Sequence, residues 1–247
     1  MDRSTALPPP PPMGTLLSQG SLAVFLDFDG TLVEIAPDPD AIVVPPDLGD
    51  RLRSLRDRLE GRLALVSGRA LDDVERHLGR LDLARAGSHG LDRIYADGRP
   101  AGEMPEPLPD EVIAKLRSFA RDHGLRYEPK AHGGALHYRQ RLQCEKQAQA
   151  FVADLAAAHG LAVKRGKAVA ELVRPGASKR GAVEAFMEEP PFIGAMPLFI
   201  GDDVTDEDGF AGVADYGGFG IAVGERHSER ARYRLDNVAA VHHWLEI

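Results

Sequence analysis

The chain has 247 residues, 43% of them hydrophobic and 28% charged, ordinary proportions for a globular protein with a sizeable core. Its net charge of -8, from 38 acidic against 30 basic residues, disfavours nucleic acid and anionic membrane as partners, so an anionic ligand needs a local basic cluster. A single cysteine, Cys144, excludes an internal disulfide; with no signal-like start and no apolar run near the ~18 residues of a membrane span, a cytoplasmic protein is expected.

In chain order, residues 1–20 carry a proline run from Pro8 to Pro12 and read as a flexible, solvated tail. Short apolar runs follow, each ending in small or acidic residues: LAVFLDFD (22–29), LALVSG (63–68), ARAGSHG (84–90) and PLFIGDD (197–203). Continuous runs of this length suit strands covered on both faces. Between them Leu48, Leu52, Leu55 and Leu59, and then Leu71, Val74 and Leu78, fall on helical faces. Alternating strands and helices predict an α/β fold with a Rossmann-like parallel sheet. Such sheets present functional groups at the carboxyl ends of their strands, which brings Asp27, Ser67 and Asp202 to one rim.

The spacing then breaks. Asp27 to Ser67 is 67 − 27 = 40 positions and Lys179 to Asp202 is 202 − 179 = 23, but Ser67 to Lys179 is 179 − 67 = 112. An α+β domain is therefore inserted over 107–174, leaving 21–106 and 175–247 as the core. Proline-rich EMPEPLPD (103–110) reads as its hinge. Within the insert the pattern predicts a helix near 110–123, strands at LRYEP and ALHYR, a helix near 145–158, and a hairpin through LAVKRGKAVAELV that turns at Arg165, Gly166 and Lys167. After residue 203, DEDGFAGVA, FGIAVG and LDNVAAVHHWL predict helix, strand and closing helix.

Asp27 and Asp29, gathered with Asp202 and Asp203, are costly to hold together unless a cation or protons offset their repulsion. Hard oxygen donors without cysteine or histidine point to Mg²⁺. A strand-end aspartate beside Mg²⁺ can attack phosphorus, and a second, two residues on, can donate and accept the proton. Ser67 offers a hydroxyl to the phosphate, and Lys179 offers a charge where a helix begins. Taken singly, each of these has a plainer role: Asp27 and Asp29 as turn caps, Ser67 as a helix cap, Lys179 as a solvated side chain.

Taken in order, DFDGT, Ser67, Lys179 and GDDVTDED resemble the four motifs of haloacid dehalogenase-like phosphatases. Together with GSHG, YEPK, ALHYR, AVAEL, RPGASKRG and PPFIG, they resemble the trehalose-6-phosphate phosphatase family from about Leu22 to about Gly224. The resemblance implies an Mg²⁺-dependent enzyme hydrolysing trehalose 6-phosphate through an aspartyl-phosphate, the last step of trehalose biosynthesis. It implies Asp27 as nucleophile, Asp29 as general acid and base, and Ser67, Lys179 and Thr31 as phosphate ligands. Mg²⁺ would be held by Asp27, the Asp29 carbonyl and Asp202, with Asp203 and Asp206 behind them. The insert becomes a cap whose Glu128, Lys130, Arg139 and Glu171 bind the disaccharide. Without the resemblance Glu128, Lys130 and Arg139 read as a solvated hairpin face. His89 is left between substrate contact and turn closure, Arg69 between substrate contact and helix start, and His137 reads as a packed or hydrogen-bonded hairpin residue.

Lys179 is followed by Arg180 before Gly181, where the family usually has glycine at once, which puts the register of that turn in question. Phosphatases of sucrose phosphate or mannosylphosphoglycerate would share the core and differ in the cap. A signalling receiver domain lacks an acid two residues beyond its nucleophile, and Asp29 and the insert speak against it. GGFGIAVG fails as a dinucleotide fingerprint because Val223 replaces the third glycine. DDVTDEDG fails as a calcium loop because Val204 stands at a ligand position.

Overall fold

The computed structural model describes residues 7–36, 41–102, 106–130, 132–166, 168–176 and 178–247. The start of the expected tail, the first part of the hinge, Lys167 of the cap turn and Ala177 before the phosphate lysine lie outside them. The chain forms two compact units, 1–103 with 178–247 and 104–177, where the sequence pattern placed the insert at 107–174.

The larger unit is built on a seven-stranded sheet. Its elements are α1 (Met13–Gln19), β1 (Leu22–Leu26), α2 (Leu48–Arg58), β2 (Leu63–Val66), α3 (Leu71–Leu78), β3 (Ala84–Gly87) and β4 (Asp92–Ile94), and the chain returns to it after the insert. Alternate side chains of each central strand enter different cores. Val24, Leu26, Leu63, Leu65, Leu198 and Ile200 join one buried cluster, while Phe25, Ala64, Val66 and Phe199 join another. Burial on both faces is why these strands read as unbroken apolar runs.

The smaller unit comprises α4 (Asp110–His123), β5 (Arg126–Lys130), β6 (Gly133–His137), α5 (Glu145–His159), β7 (Ala162–Gly166) and β8 (Val169–Val173). Both helices end at glycines in the left-handed conformation, Gly124 (φ 64°) and Gly160 (φ 63°), the usual way to turn the chain back. Its antiparallel sheet has the order β5-β6-β8-β7. Leu136, Ala170 and Leu172 share a core with Val112, Leu116, Val152 and Leu155 of the helices, so one sheet face is covered.

The chain then completes the larger unit with α6 (Lys179–Met187), β9 (Met196–Gly201), α7 (Asp206–Asp215), β10 (Phe219–Val223), β11 (Ala231–Leu235) and α8 (Val238–Leu245). The strand order is β11-β10-β9-β1-β2-β3-β4. All neighbours are parallel except β4, which pairs antiparallel with β3.

Two features depart from expectation. β4 and β11 were not foreseen, being short edge strands with charged residues among their apolar ones. The solvated tail is also corrected from Leu7 onward: the Pro8 carbonyl accepts from Arg234 N–H at 3.0 Å and the Pro11 carbonyl from Trp244 Nε1 at 2.8 Å. Pro10 is buried, and α1 places Met13 and Leu16 in the core. Prolines lack a donor but keep their carbonyls, and here the carbonyls tie the segment down. Among the described residues no helix is long and apolar enough to cross a membrane.

Candidate active site

Asp27 follows β1 and keeps its ladder bond, N–H to the Ile200 carbonyl at 2.9 Å. Ser67 follows β2 and donates its N–H to the Ala86 carbonyl at 2.8 Å. Asp202 follows β9, and Lys179 opens α6. Ser178 caps that helix by accepting from Gly181 N–H at 3.0 Å, so the Lys-Arg-Gly register is sound. Arg180 turns to the surface, bonding Glu184 and Asp215 at 2.8 Å each.

The Lys179 ammonium is buried and donates to Asp27 Oδ1 at 2.7 Å and to Asp206 Oδ1 at 2.6 Å. One oxygen from each of Asp27, Asp202 and Asp206 lies within 4.8 Å of the others. Three carboxylates thus face one ammonium. Burial, then the neighbouring acids Asp206 and Asp202, push the Asp27 carboxyl well above its ordinary range against the pull of Lys179. Burial and then Asp206 push Asp202 up to about 7. Burial works against the charge of Lys179, yet Asp206 and Asp27 raise it above its ordinary value.

Asp206, expected behind the metal, lies within this group. Both its oxygens are engaged, Oδ1 by Lys179 and Oδ2 by Asp203 N–H at 2.8 Å. The Asp203 side chain is exposed. Asp202 Oδ1, by contrast, is buried with no hydrogen-bond partner. Gly30 (φ 79°) abuts the same carboxylate, and a Cβ there would lie 2.2 Å from Asp202 Oδ2. An unsatisfied buried oxygen, elevated carboxyl pKa values and all-oxygen donors fit a hard divalent cation. Thr31 Oγ1 is buried nearby in sequence, also without a partner.

Asp29 is held differently. Arg69 donates from Nε to Asp29 Oδ2 at 2.6 Å and from Nη2 to Oδ1 at 2.7 Å, while its Nη1 reaches Asp73 Oδ2 at 2.6 Å. Burial opposes the guanidinium charge, but the bonds to Asp29 and Asp73 raise its pKa above the ordinary value. Arg69 N–H also donates to Ser67 Oγ at 3.1 Å. These bonds give Arg69 a role beside Asp29 that neither substrate contact nor helix start anticipated. Its only local signal is the i, i+4 spacing of Arg69 and Asp73.

His89 closes the turn after β3. It and Ser88 adopt left-handed φ of 58° and 51°, costly for non-glycine residues. His89 N–H donates to the Ser67 carbonyl at 3.0 Å, and a Cβ on Gly68 would come 2.7 Å from the His89 ring. The turn thereby braces the Ser67 loop.

In the smaller unit, Glu128, Ala135, Glu171 and Lys164 align across the four strands. Strand alternation puts Glu128, Lys130, His137 and Glu171 on the face opposite the helical core. Lys130 Nζ pairs with Glu171 Oε1 at 2.6 Å, both buried, and His137 Nε2 bonds Glu128 Oε2 at 2.7 Å. Burial resists ionisation of Glu128, but the His137 bond and Lys130 hold its carboxyl below the ordinary value. Arg139 lies two residues beyond β6, exposed.

A mostly parallel sheet with an acidic cluster, a lysine and a serine at its strand ends, interrupted by a separate α+β unit, is a fold shared with a solved phosphatase of the haloalkanoate (HAD) enzyme superfamily from Bacteroides thetaiotaomicron, 14% identical with a TM-score of 0.59, covering 99% of this chain and 95% of its own. A trehalose-phosphatase family model matches residues 25–239. An Escherichia coli (strain K12) relative, trehalose-6-phosphate phosphatase, is 37% identical over 228 residues, covering 91% of this chain and 85% of its own. A solved trehalose-6-phosphate phosphatase related protein is 25% identical with a TM-score of 0.72, covering 92% of this chain and 96% of its own. The C-terminal domain of the C. albicans trehalose-6-phosphate phosphatase superimposes with a TM-score of 0.78 at 21% identity, covering 99% of this chain and 100% of that domain. The chain belongs to the trehalose-phosphatase family, enzymes that hydrolyse phosphoric monoesters.

Proposed function

We propose that the protein hydrolyses trehalose 6-phosphate to trehalose and inorganic phosphate, with Asp27 as nucleophile and Asp29 as general acid and base. The observation that carries this reading is the buried Lys179 ammonium shared between Asp27 and Asp206. It leaves Asp27 Oδ2 to attack and places positive charge where a phosphoryl group would gain negative charge.

In the first step an Asp27 oxygen bonds to phosphorus as the phosphorus–sugar oxygen bond breaks, and the departing alkoxide takes a proton from Asp29. In the second, Asp29 takes a proton from water, the resulting hydroxide bonds to phosphorus, and the Asp27 carboxylate leaves. Ser67 Oγ and Thr31 Oγ1 donate to the phosphoryl oxygens. Protonation of Asp29 removes the charge that makes the Arg69 fork strong, so the proton-donating state is held more loosely by it. Mg²⁺ would be held by Asp27, Asp202 and the Asp29 carbonyl, with Asp206 beside them in the carboxylate group and Asp203 behind, and would offset the charge on the transferring phosphoryl group. In the cap, Glu128 and Glu171 accept from sugar hydroxyls while Lys130 and Arg139 donate to them. His89 acts as a brace for Ser67 and can meet substrate from the same turn.

The test is phosphate release from trehalose 6-phosphate, glucose 6-phosphate, sucrose 6-phosphate and mannosylphosphoglycerate, each with and without Mg²⁺. Trehalose 6-phosphate is expected to turn over with the highest kcat/KM, and chelation is expected to abolish turnover of every substrate. Preference for another sugar phosphate would leave the core chemistry and replace the substrate.

A further inference from the structure

Arg226, in the loop between β10 and β11, grips the backbone of the acidic loop. Its Nε donates to the Asp202 carbonyl at 3.0 Å, its Nη2 to the Asp203 carbonyl at 3.0 Å and to Glu207 Oε1 at 2.8 Å, and its Nη1 to the His227 carbonyl at 2.7 Å. Glu207 Oε2 in turn accepts from Arg230 N–H at 3.0 Å. The peptide joining Asp202 to Asp203 is therefore bonded at both ends: its carbonyl by Arg226, its N–H by Asp206 Oδ2 at 2.8 Å.

That grip matters because of what Asp202 lacks. Its Oδ1 is buried without a hydrogen-bond partner, so no bond there aims the carboxylate. Its direction follows from the backbone that carries it and from Gly30, which leaves no room for a Cβ beside Oδ2. From this geometry we infer that Arg226 is a positioning residue for the divalent cation: it fixes the Asp202–Asp203 peptide so that Asp202 Oδ1 meets the ion already oriented. The inference rests on the proposed reading of Asp202 as a metal ligand. Partners behind a ligand typically change metal affinity about 10- to 100-fold, and an arginine fork on two carbonyls is a geometry lysine cannot reproduce.

Charge and geometry predict opposite signs. A guanidinium close to a cation site repels the ion, so if only its charge mattered, removing it would tighten Mg²⁺ binding. If its fork orients Asp202, removing it weakens binding.

The experiment is calorimetric titration of the chelator-treated 247-residue chain with Mg²⁺, beside thermal melts of the same samples in chelator. R226Q and R226K are both expected to bind Mg²⁺ about tenfold more weakly than the original protein, with melting temperatures in chelator nearly unchanged. E207Q, which weakens one anchor of the fork, is expected to lose about threefold. Equal or tighter binding by R226Q overturns the inference, as does full recovery of affinity in R226K. Should R226Q fail to fold, R226K and E207Q decide the matter, and unchanged affinity in both overturns it. D202N separates the two claims: loss of Mg²⁺ binding in D202N is required by the underlying reading, and if D202N binds like the original protein that reading fails, independently of Arg226.

Discussion

The two units solve the problem of holding charge in different ways. In the larger one, Lys179 meets Asp27 across 152 positions of sequence and Arg69 meets Asp29 across 40. These contacts exist only because parallel strands bring distant loops to one rim. In the smaller one, Glu128 meets His137 across nine positions, and Lys130 meets Glu171 from neighbouring parts of one antiparallel sheet. The first site depends on the whole topology and the second on hairpin register. The proposed function assigns chemistry common to every phosphate ester to the former and recognition of one sugar to the latter.

The largest test of that division is Asp27→Asn. It removes the attacking oxygen while keeping an acceptor for Lys179, and kcat is expected to fall by roughly 10⁴-fold or more on all substrates alike, the scale seen when a catalytic nucleophile is removed. Melting in chelator should not drop, because one of three crowded carboxylates loses its charge. Appreciable turnover in single-turnover assays would contradict the covalent route.

Glu128→Ala sharpens the comparison from the other side. A hydrogen bond to a charged group contributes about 1.5–3 kcal/mol, so kcat/KM for trehalose 6-phosphate should fall by about 10- to 100-fold, while a small aryl phosphate should keep nearly its full rate. Equal losses on both would remove the cap from sugar recognition and make Glu128 and His137 a structural pair.

The same division explains what could be read from sequence. The core strands were legible because burial on both faces leaves continuous apolar runs, and Asp27, Ser67 and Asp202 stand where those runs stop. The cap elements were legible because their periodicities are local, as with the helix at Asp110–His123. The edge strands β4 and β11 were not, since ARYRL exposes its second residue and half-buries two more, which blurs the apolar signal. Nor could the pairing of Arg69 with Asp29 be read, because an arginine's partner is set by tertiary approach. Asp206 looked like one acid among several in DDVTDED. Only the fold shows both its oxygens committed, one to Lys179 and one to Asp203 N–H.

The N-terminal segment is where the two kinds of signal collide. Pro8 to Pro12 has the composition of a solvated linker, and nothing nearby in sequence contradicts that. Its anchors, Arg234 and Trp244, lie more than two hundred residues away. Trp244→Phe keeps an aromatic ring and deletes the N–H that the Pro11 carbonyl accepts. A net loss of about 1 kcal/mol for that bond corresponds to about 2–4 °C in Tm for a chain of this size. Phosphatase activity should be untouched, since Trp244 lies on α8 among residues that pack on the core rather than among the strand-end acids. An unchanged Tm would mean that the carbonyl contact is not what holds the segment, and the polyproline run would revert to the free linker its composition suggests.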